Sequence, residues 1–182
     1  MEPNLVLHTE RLVLEPLSSK HATEKYASWL NDPEVYKHLE SRGGQTIDTI
    51  NEFINFQITN KVYIWAIIDK SLNTHIGNIK IDPINITHKY GEYGILIGDK
   101  NYWGKGFARE ASEAVLNYFF KNNNYLRKIN LGVLKNNSDA INLYNKLGFK
   151  QEGYLQRHLV YDGTEEDVIR MAIFREDFLG HE

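Results

Sequence analysis

A chain of 182 residues, 42% hydrophobic and 25% charged, has the size and balance of one globular domain, large enough to bury about two-thirds of its unfolded surface. Its 21 basic and 24 acidic residues are scattered and leave a net charge of -3, which argues against nucleic acid, whose binders present a basic face. The absence of cysteine excludes disulfides, thiolate metal sites and a cysteine nucleophile.

The opening "MEPNLVLHTERLVLEP" has acidic residues and a short apolar run where a signal peptide needs a basic start and a longer apolar core. No stretch approaches the roughly 18 apolar residues of a membrane helix, and with the missing cysteines this predicts a cytoplasmic protein with no membrane partner. A first strand is predicted over residues 11–16, where Leu12 and Leu14 alternate with other positions. Ser18 or Ser19 is placed to cap a helix carrying Ala22, Tyr26, Trp29 and Leu30 at helical spacing. "NDP" ends it, because the residue before a proline avoids the helical region, and Pro33 then opens a short second helix. "SRGGQT" reads as a loop, and Thr46 leads a third helix through Ile50, Phe53, Ile54 and Gln57 to near Asn60.

"VYIWAIID" and "HIGNIKIDPI", separated by the turn-like "KSLNT", predict an antiparallel hairpin. In "GEYGILIG", residues 91–98, Tyr93, Ile95 and Ile97 fall on one face of a strand and Glu92, Gly94 and Leu96 on the other. The chain then enters "NYWGKGFAREASEAVLNYFF", where Phe107, Ala111, Val115 and Phe119 make an i, i+4 stripe, with Arg109, Glu110, Glu113 and Asn117 on the outer surface. "KINLGVL" predicts another strand, "SDAINLYNKLGF" a short helix with Ser138 as cap and Gly148 as stop, and "YLQRHLVY" and "DVIRMAIF" two last strands around the turn "DGTE".

Two glycines at the start of a helix, where Ser, Thr, Asp or Asn is the usual cap, pose a chemical question. A helix start leaves about four backbone N–H groups unpaired and carries roughly half a positive charge, so it accepts an anion if side chains do not block it. Gly104 and Gly106 remove the block, Ala108 extends the cleared surface and Lys105 adds a charge. A Walker A loop does not fit, since no Gly-Lys-Ser/Thr ending follows at the required spacing. A Rossmann fingerprint fits poorly, because Arg109 stands where its third small residue belongs.

The segment does resemble the acyl-CoA turn of the GNAT superfamily of N-acetyltransferases, Gln/Arg-x-x-Gly-x-Gly/Ala, with Asn101 in the Gln/Arg position. "TERLVLEPL", "WLNDPEV", "HIGNIKI", "GEYGILIGDKNYWGKGFAREA", "NNSDAINLYNKLGFKQEG" and the closing hairpin follow in the order of the RimJ/RimL-like branch. That resemblance implies a mixed α/β (α+β) acyltransferase fold spanning residues 1–182. Its central sheet would be mostly antiparallel, splayed at the acyl-CoA site and flanked by helices. It implies acetyl transfer from acetyl-CoA to a primary amine by direct attack in a ternary complex. The acceptor would be a protein N-terminus, an amino-sugar nucleotide or a polyamine, and the protein a monomer or homodimer. A catalytically silent CoA-binding or partner-binding module on the same fold is the alternative.

By the same resemblance, backbone groups of Leu96 and Ile97 pair with the pantetheine arm. The pyrophosphate rests on Trp103, Gly104, Lys105, Gly106, Phe107 and Ala108. Asn137 and Ser138 stand near the cofactor, and Tyr144 protonates the departing sulfur. Glu92 is the candidate base, taking the amine's proton through water, since an aliphatic amine is mostly protonated at neutral pH. A second reading keeps Glu92 as a solvated or salt-bridged carboxylate and Tyr144 as a packed ring. Trp29 and Tyr36 are read first as core and second as walls of the acceptor cleft, and Glu34 and Glu40 as solvated carboxylates or as attractants for a cationic acceptor. The seven histidines, His8, His21, His38, His75, His88, His158 and His181, show no metal-ligand spacing, so no metal is expected.

Overall fold

The computed structural model describes residues 5–122 and 125–180. Two compact units are present, one formed by the chain up to Asp82 with Gly94–Ala114, the other by Pro83–Tyr93 with the chain from Val115 onward. No helix among the described residues is long and apolar enough to cross a membrane.

In the first unit, β1 (Leu7–His8) pairs antiparallel with β2 (Leu12–Pro16). Thr23 accepts a hydrogen bond from Tyr26 N–H and so caps α1 (Glu24–Asn31), while Asp32 caps α2 (Pro33–Tyr36), whose first position Pro33 fills. The expected serine caps are thus displaced: Ser18 stands before a 3-10 turn, Ser19–His21, and the α-helix starts five residues later. A reciprocal box between Thr46 and Thr49 opens α3 (Ile47–Thr59). The strand β3 (Tyr63–Asp69) pairs antiparallel with β2 and with β4 (Thr74–Asn85). Every residue of β3 is buried, as the apolar run from Tyr63 to Ile68 requires of a strand covered on both faces. Ile64, Ala66 and Ile68 of β3 form one core with Tyr26, Ala27 and Trp29 of α1, Val35 of α2, and Ile50 and Ile54 of α3.

β5 (Tyr90–Ile97) crosses from the second unit into the first at Tyr93/Gly94. Its end is pressed onto β4 at Gly77, where a Cβ would lie 2.1 Å from Leu96 O and 2.9 Å from Ile97 Cα. Only glycine permits that approach. After the glycine-rich turn, α4 (Phe107–Asn117) carries the chain back and widens into a π turn over Tyr118–Asn122, in which Tyr118, Phe119 and Phe120 are all buried.

The second unit takes the first half of β5 and adds β6 (Lys128–Leu134), α5 (Ser138–Lys146), β7 (Lys150–Tyr161), β8 (Thr164–Phe174) and a short α6 (Arg175–Gly180). β5 and β6 run parallel from Tyr90↔Lys128 to Glu92↔Asn130, and β8 pairs antiparallel with both β6 and β7. The sheet is therefore mixed and mostly antiparallel. The β7–β8 turn places Asp162 and Gly163 at φ 51° and 79°, the left-handed pair that an Asp-Gly hairpin turn provides. At α5 the cap is Asn137, whose side chain accepts from Ala140 N–H; Ser138, expected as cap, is the first helical residue. β1, α6 and the π turn were not expected from sequence.

Candidate functional site

The glycine turn in the first unit is built outward from Gly98. A Cβ there would lie 2.3 Å from Trp29 Cδ2, so the indole rests directly on the backbone at the end of β5. Gly98 N–H and Asp99 N–H both donate to Ile76 O, at 2.9 and 3.2 Å. The Asp99 carboxylate then accepts from Asn101 N–H and from the Asn101 side-chain amide, each at 3.0 Å, and from Lys25 Nζ at 2.7 Å. Burial alone would raise the Asp99 pKa, but the Lys25 and Asn101 bonds hold it below its ordinary value. The Asn101 amide thereby closes the turn on Asp99. Lys100 is held by Asp32 at 2.6 Å and Glu34 at 2.8 Å, and the Trp103 indole N–H donates to Ile97 O at 2.7 Å.

Gly104 and Gly106 have φ of 69° and 82°, the left-handed region that side chains disfavour. A Cβ at Gly104 would meet nothing within 4 Å, and one at Gly106 only Arg11 Nη2 at 3.5 Å. The first turn of α4 closes with Glu110 N–H donating to Gly106 O at 3.1 Å. Gly106 is thus the cap residue, with no side chain to occupy the N–H groups of Phe107, Ala108 and Arg109. Those donors belong to the first turn, at the positive end of the helix. Lys105 is exposed beside them.

Arg11 clamps this turn. Its Nε donates to Glu110 Oε2 at 2.6 Å, its backbone N–H to Glu110 Oε1 at 2.8 Å and its Nη1 to Lys105 O at 3.1 Å. The guanidinium lies 4.1 Å from the centre of the Phe107 ring, whose edge also meets Tyr102. Burial alone would raise the Glu110 pKa, but bonds from Thr9 and Arg11 hold it below its ordinary value. Glu110, expected on the outer surface, is therefore an anchor, and Arg11 is a site residue that the sequence reading missed.

In the second unit, Glu92 accepts from Arg170 through both oxygens, Oε1 from Nη1 and Oε2 from Nη2, each at 2.7 Å, and Asn130 Nδ2 also donates to Oε2. The salt-bridged reading of Glu92 is realised, and both partners lie far along the chain. Tyr93, the next residue, points to the opposite face, where its ring lies 5.8 Å from that of Tyr144. Phe149 completes the cluster at 5.9 Å from Tyr144. Tyr144 is 7% exposed, burial pushes its pKa up to about 12, and its hydroxyl has no hydrogen-bond partner among the described residues. It is a neutral phenol at any physiological pH. The parallel ladder ends at Glu92↔Asn130, so the carboxylate and the phenol occupy opposite faces of the sheet near that end.

Trp29 is 5% exposed and contacts Tyr26 and His75 as well as Gly98. Trp29 thus belongs to the core under the turn. Tyr36 is half-buried beside Gly43. His75 Nε2 lies 2.9 Å from Gly77 O and 3.0 Å from Asn78 Oδ1, and burial pushes its pKa down to about 4, so the ring is neutral. No group of His, Cys, Asp or Glu that could hold a metal occurs among the described residues; His181 lies outside them.

Residues 11–150 match the model of the acetyltransferase (GNAT) domain family. The chain is 30% identical over 178 residues to an uncharacterized N-acetyltransferase, p20, of Bacillus licheniformis, covering 96% of this chain and 98% of that one. It is 32% identical over 149 residues to spermidine N(1)-acetyltransferase of Vibrio cholerae, covering 82% and 85%. The crystal structure of the Vibrio cholerae spermidine N-acetyltransferase in complex with CoA and spermine superposes with a TM-score of 0.83 at 28% identity, over 94% of this chain and 99% of that one.

Proposed function

The chain belongs to the acetyltransferase (GNAT) family and is an acetyl-CoA-dependent N-acetyltransferase, and on that premise we propose that it acetylates a small cationic amine of the polyamine class. The observation that carries the cofactor half is the pair of left-handed glycines at the head of α4, which leaves backbone donors bare for a diphosphate. The acceptor half is supported by the relatives named for spermidine. A protein N-terminus, the acceptor implied by the RimJ/RimL-like motifs, is the second reading, and the order of those motifs along the chain is what favours it.

In this reading the pantetheine arm pairs with the backbone of Leu96 and Ile97, and the diphosphate sits on the N–H groups from Gly104 to Ala108. The carbonyl of Ile97 already accepts from Trp103 and keeps its second lone pair for the arm. The amine nitrogen attacks the thioester carbon, its proton passing through water to Glu92. The carbon–sulfur bond then breaks, the Tyr144 hydroxyl donates its proton to the departing thiolate, and the second proton of the acylated nitrogen passes through water to the Tyr144 oxygen, leaving a neutral amide and restoring the phenol. No metal enters these steps. Asn137 holds the start of α5, on which Tyr144 is carried, by capping it, and Ser138 is exposed beside it. Residues 1–182 act as one catalytic domain, since the chain passes between the two units within β5 and α4 and neither unit is a separate sequence segment. A cytoplasmic location agrees with the missing cysteines, and the working form is taken as a monomer or homodimer, to be read by light scattering.

The test is thiol release from acetyl-CoA with spermidine, N-terminal peptides and amino-sugar nucleotides offered separately. Release with spermidine is expected. Release with peptides alone transfers the acceptor assignment to protein N-termini.

A further inference from the structure

Arg170 reaches Glu92 across a surface cleared for it. It stands on β8 opposite Gly132 of β6 and Gly153 of β7, so both cross-strand neighbours lack side chains. A Cβ at Gly132 would lie 3.0 Å from Arg170 Nη1, and one at Gly153 would lie 3.4 Å from Arg170 Cβ. Neither glycine is among those with positive φ, so backbone conformation does not account for them. Glycine inside a strand weakens it and marks the close approach of another group; here that group is the Arg170 side chain, joined at Gly132 by Val168 Cγ1, 3.3 Å from the same built Cβ.

The consequence falls on Glu92. A carboxylate offers about four lone-pair sites on its two oxygens. Arg170 Nη1 takes one on Oε1, while Arg170 Nη2 and Asn130 Nδ2 take both on Oε2. One site remains, on Oε1. We propose that Gly132, Arg170 and Asn130 are positioning residues that make Glu92 a single-site acceptor, presenting one Oε1 lone pair to the water that carries the amine's proton. This deepens the base reading of Glu92 given above and rests on it. In the proton step an N–H bond of the ammonium breaks, an O–H bond forms at Glu92 Oε1 through the water, and the proton leaves to solvent after acetyl transfer. The other charged groups beside the pair are Glu152 of β7, which acts on Arg170 in the same sense as Glu92, and Lys128 of β6, which binds Glu152 at 2.5 Å. Two acids and two bases balance, so the site carries no net charge of its own to attract a cation.

The experiment is a kinetic double-mutant cycle with steady-state kcat and KM for both substrates, each variant checked by its melting curve. Glu92→Gln lowers kcat under the base reading. Arg170→Gln should lower kcat about 10- to 100-fold, the scale of a misplaced catalytic group, with KM for acetyl-CoA unchanged, and Arg170→Lys should recover part of the loss. In the Glu92→Gln background, Arg170→Gln should change kcat less than about twofold, because a positioning residue has nothing left to position. Gly132→Ala displaces the guanidinium without touching either charge and should lower kcat about tenfold, which keeps the test open if Arg170→Gln does not fold. Full kcat in folded Gly132→Ala, or the same loss from Arg170→Gln in both backgrounds, overturns the positioning role while leaving the base reading intact. Full kcat in Glu92→Gln overturns both.

Discussion

The glycine turn and the Glu92–Tyr144 region solve opposite problems. At the turn the proposed cofactor surface is backbone, so side chains are absent from it and acids and bases around it are paired: Arg11 with Glu110, Lys25 with Asp99, Lys100 with Asp32 and Glu34. At Tyr144 the proposed acid is a side chain, and aromatic packing keeps it buried and neutral. One region works through what has been taken away, the other through what has been buried. Adding an atom should therefore harm the first, and deleting one should harm the second.

The largest effect expected from this contrast is at Tyr144. Removing its hydroxyl in Tyr144→Phe should lower kcat roughly 100-fold, within the usual range for general acid catalysis, with little change in melting temperature; unchanged turnover would end the acid assignment. Next comes the packing beneath the turn. His75 has a folded pKa of about 4, below the ordinary 6.5, so between those values the unfolded chain binds more protons. The stability it contributes is full above the ordinary value and is lost as pH falls toward the folded one. Urea denaturation should show roughly 2 kcal/mol less stability near pH 5 than near pH 7.5, and His75→Gln should flatten that slope; an equal slope in the variant would place its origin elsewhere.

Gly106→Ala should weaken CoA binding about tenfold, since a left-handed side chain costs roughly 1–2 kcal/mol, and titration calorimetry reads it. Gly104→Asn should cost less, because asparagine tolerates that conformation, and equal losses at the two positions would show that crowding outweighs strain. The smallest effect should come from Glu110→Gln, about 1 kcal/mol of stability after screening at the half-exposed Arg11, with kcat unchanged. The Glu110 contribution is present above the ordinary carboxylate pKa and lost as pH falls through its lowered folded value, so the variant should differ least from the parent in strong acid.

Local chemistry was legible in the sequence, and long-range pairing was not. Gly104, Gly106 and the apolar stripe of α4 announce a helix start with bare donors, because glycine conformation and helical period act within a few residues. Arg11 escaped notice because its partners Glu110 and Lys105 stand 99 and 94 residues away, and Arg170 because Glu92 is 78 residues away. Charged side chains fit so many surroundings that their type alone says little about a partner. At α5 both Asn137 and Ser138 are chemically able caps, and only the turn geometry separates them. β1 is two residues long, too short for alternation to register, and "REDFLG" of α6 shows no apolar period.

Within the second unit β5 has a parity. Successive strand residues face alternate sides, and Glu92 is fixed by Arg170 on one side while Tyr93 is fixed by Tyr144 on the other. A one-residue slip of β5 against β6, from the pairing Glu92↔Asn130, would exchange the two, turning the carboxylate toward the aromatic cluster and the Tyr93 ring toward Arg170. Strand register there decides which face each group serves.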